Sequence, residues 1–315
     1  MVDVISRVAG FYDYLCSDID PRVKDWPLMS SPIEPLLLVI AYLVFVYMGP
    51  KWMDSRKPMK LQNVLVFYNF FMVALSAYTV HEMLLGGWLT SYSLSCDQEV
   101  DYSTSPTAIR MASATWLFFI AKYIELFDTV FFILRKKQSQ VTFLHVFHHG
   151  CLPVFWWWGV KAVPGGFGTF HALVNCCVHV VMYLYYGIAA LGPDYQKYIW
   201  WKKYVTKFQL AQFFIVTVHN SQFLFRTCAY PWKYVAFIQG FTTLIAILFL
   251  NFYVQAYRKP KYLQIKSQRI SNGVLSNGHE VIGHSNKYSN GAAVNGSIVA
   301  NGYCRSELKR RPLYS

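Results

Sequence analysis

Charge is scarce in this sequence: Asp, Glu, Lys and Arg make up 14% of 315 residues, against roughly 25% in a typical soluble domain. Set beside 55% hydrophobic residues, that shortfall excludes a water-soluble globule. Acidic residues are the scarcer sign, 16 against 29 Lys and Arg, for a net charge of +13. The excess does not point to nucleic acid, because the basic residues stand in short clusters between long apolar runs rather than along one amphipathic surface. Cysteine is also sparse, 7 residues at irregular positions with no CxxC pair, so neither a disulfide framework nor a zinc module is indicated. No apolar stretch precedes a small-residue cleavage site near the start, where Asp3, Asp13, Asp18, Asp20 and Asp25 lie. The first membrane helix is therefore expected to do the targeting.

Apolar runs, in contrast, are plentiful. A helix needs about 20 mainly apolar residues to cross the hydrocarbon core, and 33–49, 64–86, 113–134, 141–160, 167–190, 205–225 and 234–257 meet that need. They predict an all-α membrane protein of seven transmembrane helices spanning 33–260, between an N-terminal segment, 1–32, and a tail, 261–315. The tail is rich in Ser, Asn and Gly and is expected to be disordered, since it has too little apolar surface to offset its ordering entropy. Pro164, Gly165 and Gly166 predict a tight turn that sets the fourth and fifth segments antiparallel.

Loop charges orient the chain, because Lys and Arg are retained on the cytoplasmic side. Lys51, Arg56, Lys57 and Lys60, then Arg135, Lys136 and Lys137, then Lys197, Lys202 and Lys203 mark alternate loops, with basic-poor loops between them. The N-terminus is then outside and the C-terminus cytoplasmic. That topology puts Cys96 and Cys228 in two loops on the oxidising side, where a bridge persists if the loops meet; spacing alone does not say whether they meet.

Ionisable groups inside a membrane cost at least ~2.5 kcal/mol each and mark function by default. The third segment carries Lys122, Glu125, Asp128 and Thr129, whose spacings of three and four place them on one helical face. They form either part of a reactive site or an internally neutralised polar seam. The fourth segment opens with His145, His148 and His149, an HxxHH box projecting to one side of its helix. Two tasks stay open for it: metal ligation, or a nucleophile or base with an orienting neighbour. The fifth adds Asn175, His179, Met182, Tyr183, Tyr185 and Tyr186, with His179 at nearly the depth of His148, and the sixth adds Thr206, Gln209 and Gln212. His81, His171 and His219 lie toward the far end and read as satisfied core histidines; Trp156, Trp157 and Trp158 read as an interfacial aromatic belt.

In order, Lys122-x-x-Glu125-x-x-Asp128-Thr129, His145-x-x-His148-His149, His179-x-x-Met182-Tyr183-x-Tyr185-Tyr186 and Thr206-x-x-Gln209-x-x-Gln212 resemble the signatures of the elongation of very long chain fatty acids proteins, membrane 3-ketoacyl-CoA synthases of the endoplasmic reticulum. The resemblance covers about 30–260. Gln140 to Leu144, and Leu191-Gly192-Pro193 through Lys203, look closest to the animal branches of types one, four and seven.

The resemblance implies condensation of a long-chain acyl-CoA with malonyl-CoA, giving a 3-oxoacyl-CoA two carbons longer, carbon dioxide and CoA, with no cofactor and no metal. It implies an acyl tunnel between the helices, with His148, or else His149, as nucleophile and His179, His145 and Asn175 as its catalytic companions. Lys122, Glu125, Asp128, Tyr183, Gln209 and Gln212 would position the imidazoles and substrate. Arg135, Lys136, Lys137, Lys202, Lys203, Lys207, Arg258 and Lys259 would hold the CoA phosphates, although most basic residues at a membrane edge also serve topology. Membrane lipid, a ketoacyl reductase, a dehydratase and a second copy of the chain are the expected partners. Two other classes remain open: a histidine-box desaturase or hydroxylase, for which one box leaves a di-iron site short of ligands, and a non-enzymatic seven-span receptor or lipid-binding protein.

Overall fold

The computed structural model describes residues 10, 12, 13, 17 and 19–258. All seven apolar segments are helical, and no strand occurs among the described residues. We number the main helices α1 (Ile33–Met53), α2 (Gln62–Met83, extended by a π turn, Leu84–Trp88), α3 (Pro106–Ile124), α4 (Leu126–Leu134), α5 (Phe143–Ala162), α6 (Thr169–Ala190), α7 (Lys202–Asn220) and α8 (Trp232–Tyr253). The expected third segment is thus two helices. Its backbone ladder is interrupted at Glu125, where the Asp128 amide bonds back to the Glu125 carbonyl at 3.1 Å, a tight turn that re-aims the side chains on either side. Two starts are capped locally. Ser105 accepts from the Ala108 amide ahead of Pro106 at the first position of α3, and Thr142 accepts from the His145 amide, pinning the first turn of the histidine box.

The chain divides into two units, Met1–Leu248 and Phe249–Ser315. Within the first, α2 runs along α6, α3 packs beside α2 and α5, α1 beside α4 and α5, and α7 beside α6. α8 meets α5 through rings: Phe155 lies 4.7 Å from Phe237 and 4.6 Å from Phe241. The core gathers Met111, Phe118, Leu152, Trp156, Trp157 and Cys176. This corrects the aromatic-belt reading: Trp156 and Trp157 are buried, and the Trp157 indole donates to the Leu28 carbonyl at 2.9 Å. Among the described residues four helices have the length and apolarity to cross a membrane, Ile33–Met53, Gln62–Trp88, Thr169–Ala190 and Trp232–Ala256. On α1 and α2 most of the bare side chains between the helix ends are apolar, among them Leu37, Tyr47 and Phe67, a surface suited to lipid and costly in water.

One end of the first unit is closed by its loops. Cys96 and Cys228 form a disulfide, so the two loops do meet. The Tyr230 amide donates to the Cys96 carbonyl at 3.3 Å, and the Phe167 amide to the Gln98 carbonyl at 3.0 Å. Gly166 turns with φ of 65°, and a Cβ there would lie 2.7 Å from the Glu99 carbonyl oxygen; the α5–α6 turn needs glycine at this point. Arg22 pairs with Asp20 at 2.6 Å and donates to the Asp101 and Ser103 carbonyls at 2.6 and 3.0 Å, strapping the N-terminal segment over the same end. The Ser103 amide donates to Asp101 at 2.8 Å and holds its carboxyl below the ordinary value.

Candidate active site

Lys122, Glu125, Asn175 and His179 form one buried network. The Lys122 ammonium donates to Glu125 Oε1 at 2.7 Å and to Asn175 Oδ1 at 3.0 Å, while His179 Nδ1 lies 3.1 Å from the same carboxylate oxygen. Lys122 and Glu125 are each 1% exposed. Burying two charges at this depth is tolerable only because each is paired and hydrogen-bonded. The result joins α3 to α6 and fixes the His179 ring. Asn175 spends its carbonyl on Lys122, which leaves its amide nitrogen as the donor for another group.

Past the break at Glu125, the polar side chains reach other partners. Asp128 accepts from the Tyr183 hydroxyl at 2.8 Å. Thr129 shares a hydrogen bond with His145 Nε2 at 2.8 Å and another with the Tyr42 hydroxyl at 3.0 Å, so α1, α4 and α5 together hold the first histidine of the box. His145 in turn packs its ring 4.2 Å from that of His149, whose own centroid is 5.1 Å from His148. His149 Nδ1 is buried without a partner. Tyr42 escaped the sequence reading because it sits in an apolar run whose spacing carries no polar signal.

His148 lines a cavity of about 310 Å³ with Asn175, Gln212, His171 and Thr242. Leu152, Trp156, His171 and Phe241 belong both to that cavity and to a neighbouring one of about 530 Å³, which reaches Val163, Gly168 and Tyr230 at the Cys96 end. A chamber with polar side chains in its wall therefore adjoins an apolar slot. Gln209 is turned from the slot and donates to Met182 Sδ at 3.3 Å. Among the described residues no group of three or more His, Cys, Asp or Glu is placed to hold a metal ion.

The remaining expectations divide. Lys136 donates to the Asp54 carbonyl at 3.0 Å, joining two basic loops, and Lys203 and Lys207 lie 5.0 and 5.6 Å from the Tyr204 ring. None of these lines the histidine chamber. Lys259 and the tail fall outside the described residues, and Arg258 ends the π turn after α8. The satisfied-core reading fails for the three outlying histidines. His81 is exposed and pairs with Glu82 at 3.0 Å, His171 Nδ1 is buried without a partner, and His219, stacked between Phe167 and Phe170 at 4.0 and 4.1 Å, is in the core with neither ring nitrogen hydrogen-bonded.

Residues 27–264 match the model of the ELO: GNS1/SUR4 family. The chain is 51% identical over 264 residues to very long chain fatty acid elongase 7 of Rattus norvegicus, covering 83% of this chain and 94% of the relative. It is 49% identical over 262 residues to elongase 1 of Homo sapiens, 82% of this chain and 94% of the relative. To elongase 4 of Macaca mulatta it is 43% identical over 296 residues, 92% of this chain and 93% of the relative.

Proposed function

This chain belongs to the ELO: GNS1/SUR4 family and is a fatty acid elongase, a condensing enzyme, and we propose that its site performs the condensation in two stages on the histidine box. In the first, a nitrogen of His148 attacks the thioester carbonyl of an acyl-CoA. The carbon–sulfur bond breaks, CoA leaves as the thiol, and the acyl group stays as an acyl-imidazole. Malonyl-CoA then loses carbon dioxide, and the enolate so formed attacks the held acyl carbon. The carbon–nitrogen bond breaks, the departing imidazole nitrogen takes up one proton from solvent, which restores His148, and the product is a 3-oxoacyl-CoA two carbons longer. Oxidation states balance without an external electron carrier, so the reaction calls for no cofactor. His179, held by Glu125, activates the nucleophile or steadies the enolate, and the Asn175 amide donates to the developing oxyanion.

The observation that carries this reading is the adjacency of chamber and slot: His148 and Asn175 line one cavity, and the next, which shares Leu152, Trp156, His171 and Phe241 with it, is walled by Val163, Tyr234, Phe237 and Ile238. A thioester at His148 would leave its hydrocarbon chain lying in apolar surroundings.

The setting follows from the same reading. Seven helices cross the membrane of the endoplasmic reticulum, with the N-terminus lumenal and the C-terminus cytoplasmic, as the alternation of basic loops supports. The Cys96–Cys228 bridge agrees, since it joins the second and sixth loops. CoA reaches the site from the cytoplasmic side, where Arg135, Lys136, Lys137, Lys202, Lys203 and Lys207 offer cations to its phosphates, joined by Arg258 and Lys259. A ketoacyl reductase and a dehydratase act next on the product.

Intact-protein mass spectrometry with CoA release tests the two stages. Purified enzyme given acyl-CoA without malonyl-CoA should release one equivalent of CoA and gain one acyl group, and His148→Ala should do neither. Normal 3-oxoacyl-CoA formation by a folded His148→Ala chain would overturn the assignment.

A further inference from the structure

Two polar atoms stand in the wall of the chamber with nothing to bond. His171 Nδ1 on α6 and Thr242 Oγ1 on α8 are buried without a partner, and both residues line the cavity that holds His148. The same cavity is lined by carbon from Leu152, Phe213, Phe241 and Ile245 and by the polar side chains of His148, Asn175 and Gln212, none of which bonds these two atoms. A buried donor or acceptor left unpaired is expensive, and isolated polar groups in an apolar ligand wall commonly read a polar group of the ligand. Two such atoms on separate helices in one cavity call for a common partner.

Their depth can be estimated. His148, Leu152 and Trp156 occupy successive turns of α5, so Trp156 lies about 12 Å along the axis from His148 at 1.5 Å per residue. The His171 ring is 5.8 Å from that of Trp156. Thr242 follows Phe241, whose ring lies 6.3 Å from Phe147 and 4.6 Å from Phe155, which sets Thr242 between the levels of His148 and Trp156. An extended hydrocarbon chain built from bonds of about 1.5 Å advances roughly 1.3 Å per carbon. With its carbonyl carbon at His148, it brings about the sixth to the tenth carbon past these two atoms.

We propose that His171 and Thr242 form a subsite for a hydroxyl on the acyl chain near those carbons, and that mid-chain hydroxyacyl-CoAs are a substrate class of this enzyme. The inference rests on the elongase reading, with the acyl carbon at His148. A hydroxyl donates and accepts at once, as does the threonine hydroxyl, while a neutral imidazole offers one nitrogen of each kind. All three groups then pair. A saturated chain leaves both protein atoms unpaired. A double bond offers only its π face to an N–H, a weak interaction, and gives Thr242 nothing.

The test is a competition assay with the full-length enzyme, giving kcat/KM for 10-hydroxystearoyl-CoA relative to stearoyl-CoA, with oleoyl-CoA and 17-hydroxystearoyl-CoA as comparators. Thr242→Val and His171→Phe should each lower the 10-hydroxy to stearoyl ratio about tenfold, and Thr242→Ser should restore it. The 17-hydroxy ratio should not move. Thr242→Val, close to isosteric, decides the matter if His171→Phe does not fold. Unchanged ratios in Thr242→Val would overturn the proposal. So would failure of the native enzyme to extend the 10-hydroxy chain, which would mean that only water occupies the subsite, or a fall confined to oleoyl-CoA, which would mean that a π bond is read instead. If native enzyme extends no acyl-CoA at all, including stearoyl-CoA, the elongase premise falls first and the subsite with it.

Discussion

Glu125→Gln separates what the buried network does for the fold from what it does for the reaction. One oxygen of Glu125 receives Lys122 at 2.7 Å and His179 at 3.1 Å, while Oε2 has no partner. Glutamine keeps an acceptor oxygen for these neighbours but removes the negative charge, and its amide nitrogen takes the place of the unpartnered Oε2. Lys122, 1% exposed, would keep only uncharged partners, among them the Asn175 carbonyl at 3.0 Å and the Phe118 ring at 4.3 Å, to offset a buried positive charge. Breaking a buried ion pair from one side costs about 3–5 kcal/mol, a large part of a domain's total stability of roughly 5–15 kcal/mol. Detergent-solubilised enzyme titrated with a denaturing detergent should therefore unfold at a much lower denaturant fraction. Lys122→Met with Glu125→Gln removes both charges and should recover most of that loss, the non-additivity that marks a direct pair. Condensation should not recover with it: in the double variant His179 still lacks the carboxylate that fixes its ring, and loss of an oriented acid or base costs about a hundredfold or more. A Glu125→Gln chain within about 1 kcal/mol of native stability, by the yardstick of a buried pair, would refute the argument on the fold. A stable double variant with native turnover would refute the argument on catalysis.

Gly168→Ala places a Cβ against the Tyr230 hydroxyl, and both residues line the apolar slot. The ring must shift, and product profiles by mass spectrometry should lose the longest chains first; an unaltered profile would show that Tyr230 does not limit the slot. Thr129→Val removes the hydroxyl shared by His145 and Tyr42, at about 1–3 kcal/mol of stability for the unpaired groups, and should lower turnover by misorienting the box; unfolding titrations and initial rates check both. Cys96→Ser opens a bridge across a sequence separation of 132 and should cost about 2–4 kcal/mol. A non-reducing peptide map should show the linked fragment in the native chain and lose it in the variant.

The helices were legible because each rests on a run of apolar residues long enough to need no tertiary information, and the Pro164-Gly165-Gly166 turn because glycine and proline act locally. The break at Glu125 was not. Lys122, Glu125, Asp128 and Thr129 have the spacing of one continuous face, and what interrupts it is the set of partners on other helices, which periodicity does not contain. The same limit hid Tyr42, whose role depends on α1 lying beside α4, and turned three buried or exposed histidines into one class. His171 has the spacing of Asn175 and His179, one turn apart along α6, so a face was visible, but whether Nδ1 finds a partner depends on α5 and α8. Trp156 and Trp157 misled for a related reason. An aromatic run near a helix end has the composition of a membrane interface, yet here the N-terminal strap covers it.

The break also explains how one short segment can serve two helices of histidines. Had α3 continued straight through α4, residues at spacings of three and four would project together, and Glu125 and Thr129 would compete for the same neighbours. Instead Lys122 and Glu125, before the turn, meet Asn175 and His179 on α6, while Thr129, after it, meets His145 on α5. Asp128 holds Tyr183, one turn beyond His179 on α6. Each partner carries its hydrogen bond at the depth where an unpaired polar group costs most, so the α5 and α6 rings are set relative to a common piece of backbone rather than to each other. Straightening this segment would therefore do more harm than the loss of any single contact, because it would move the His145 anchor and the His179 anchor in different directions at once.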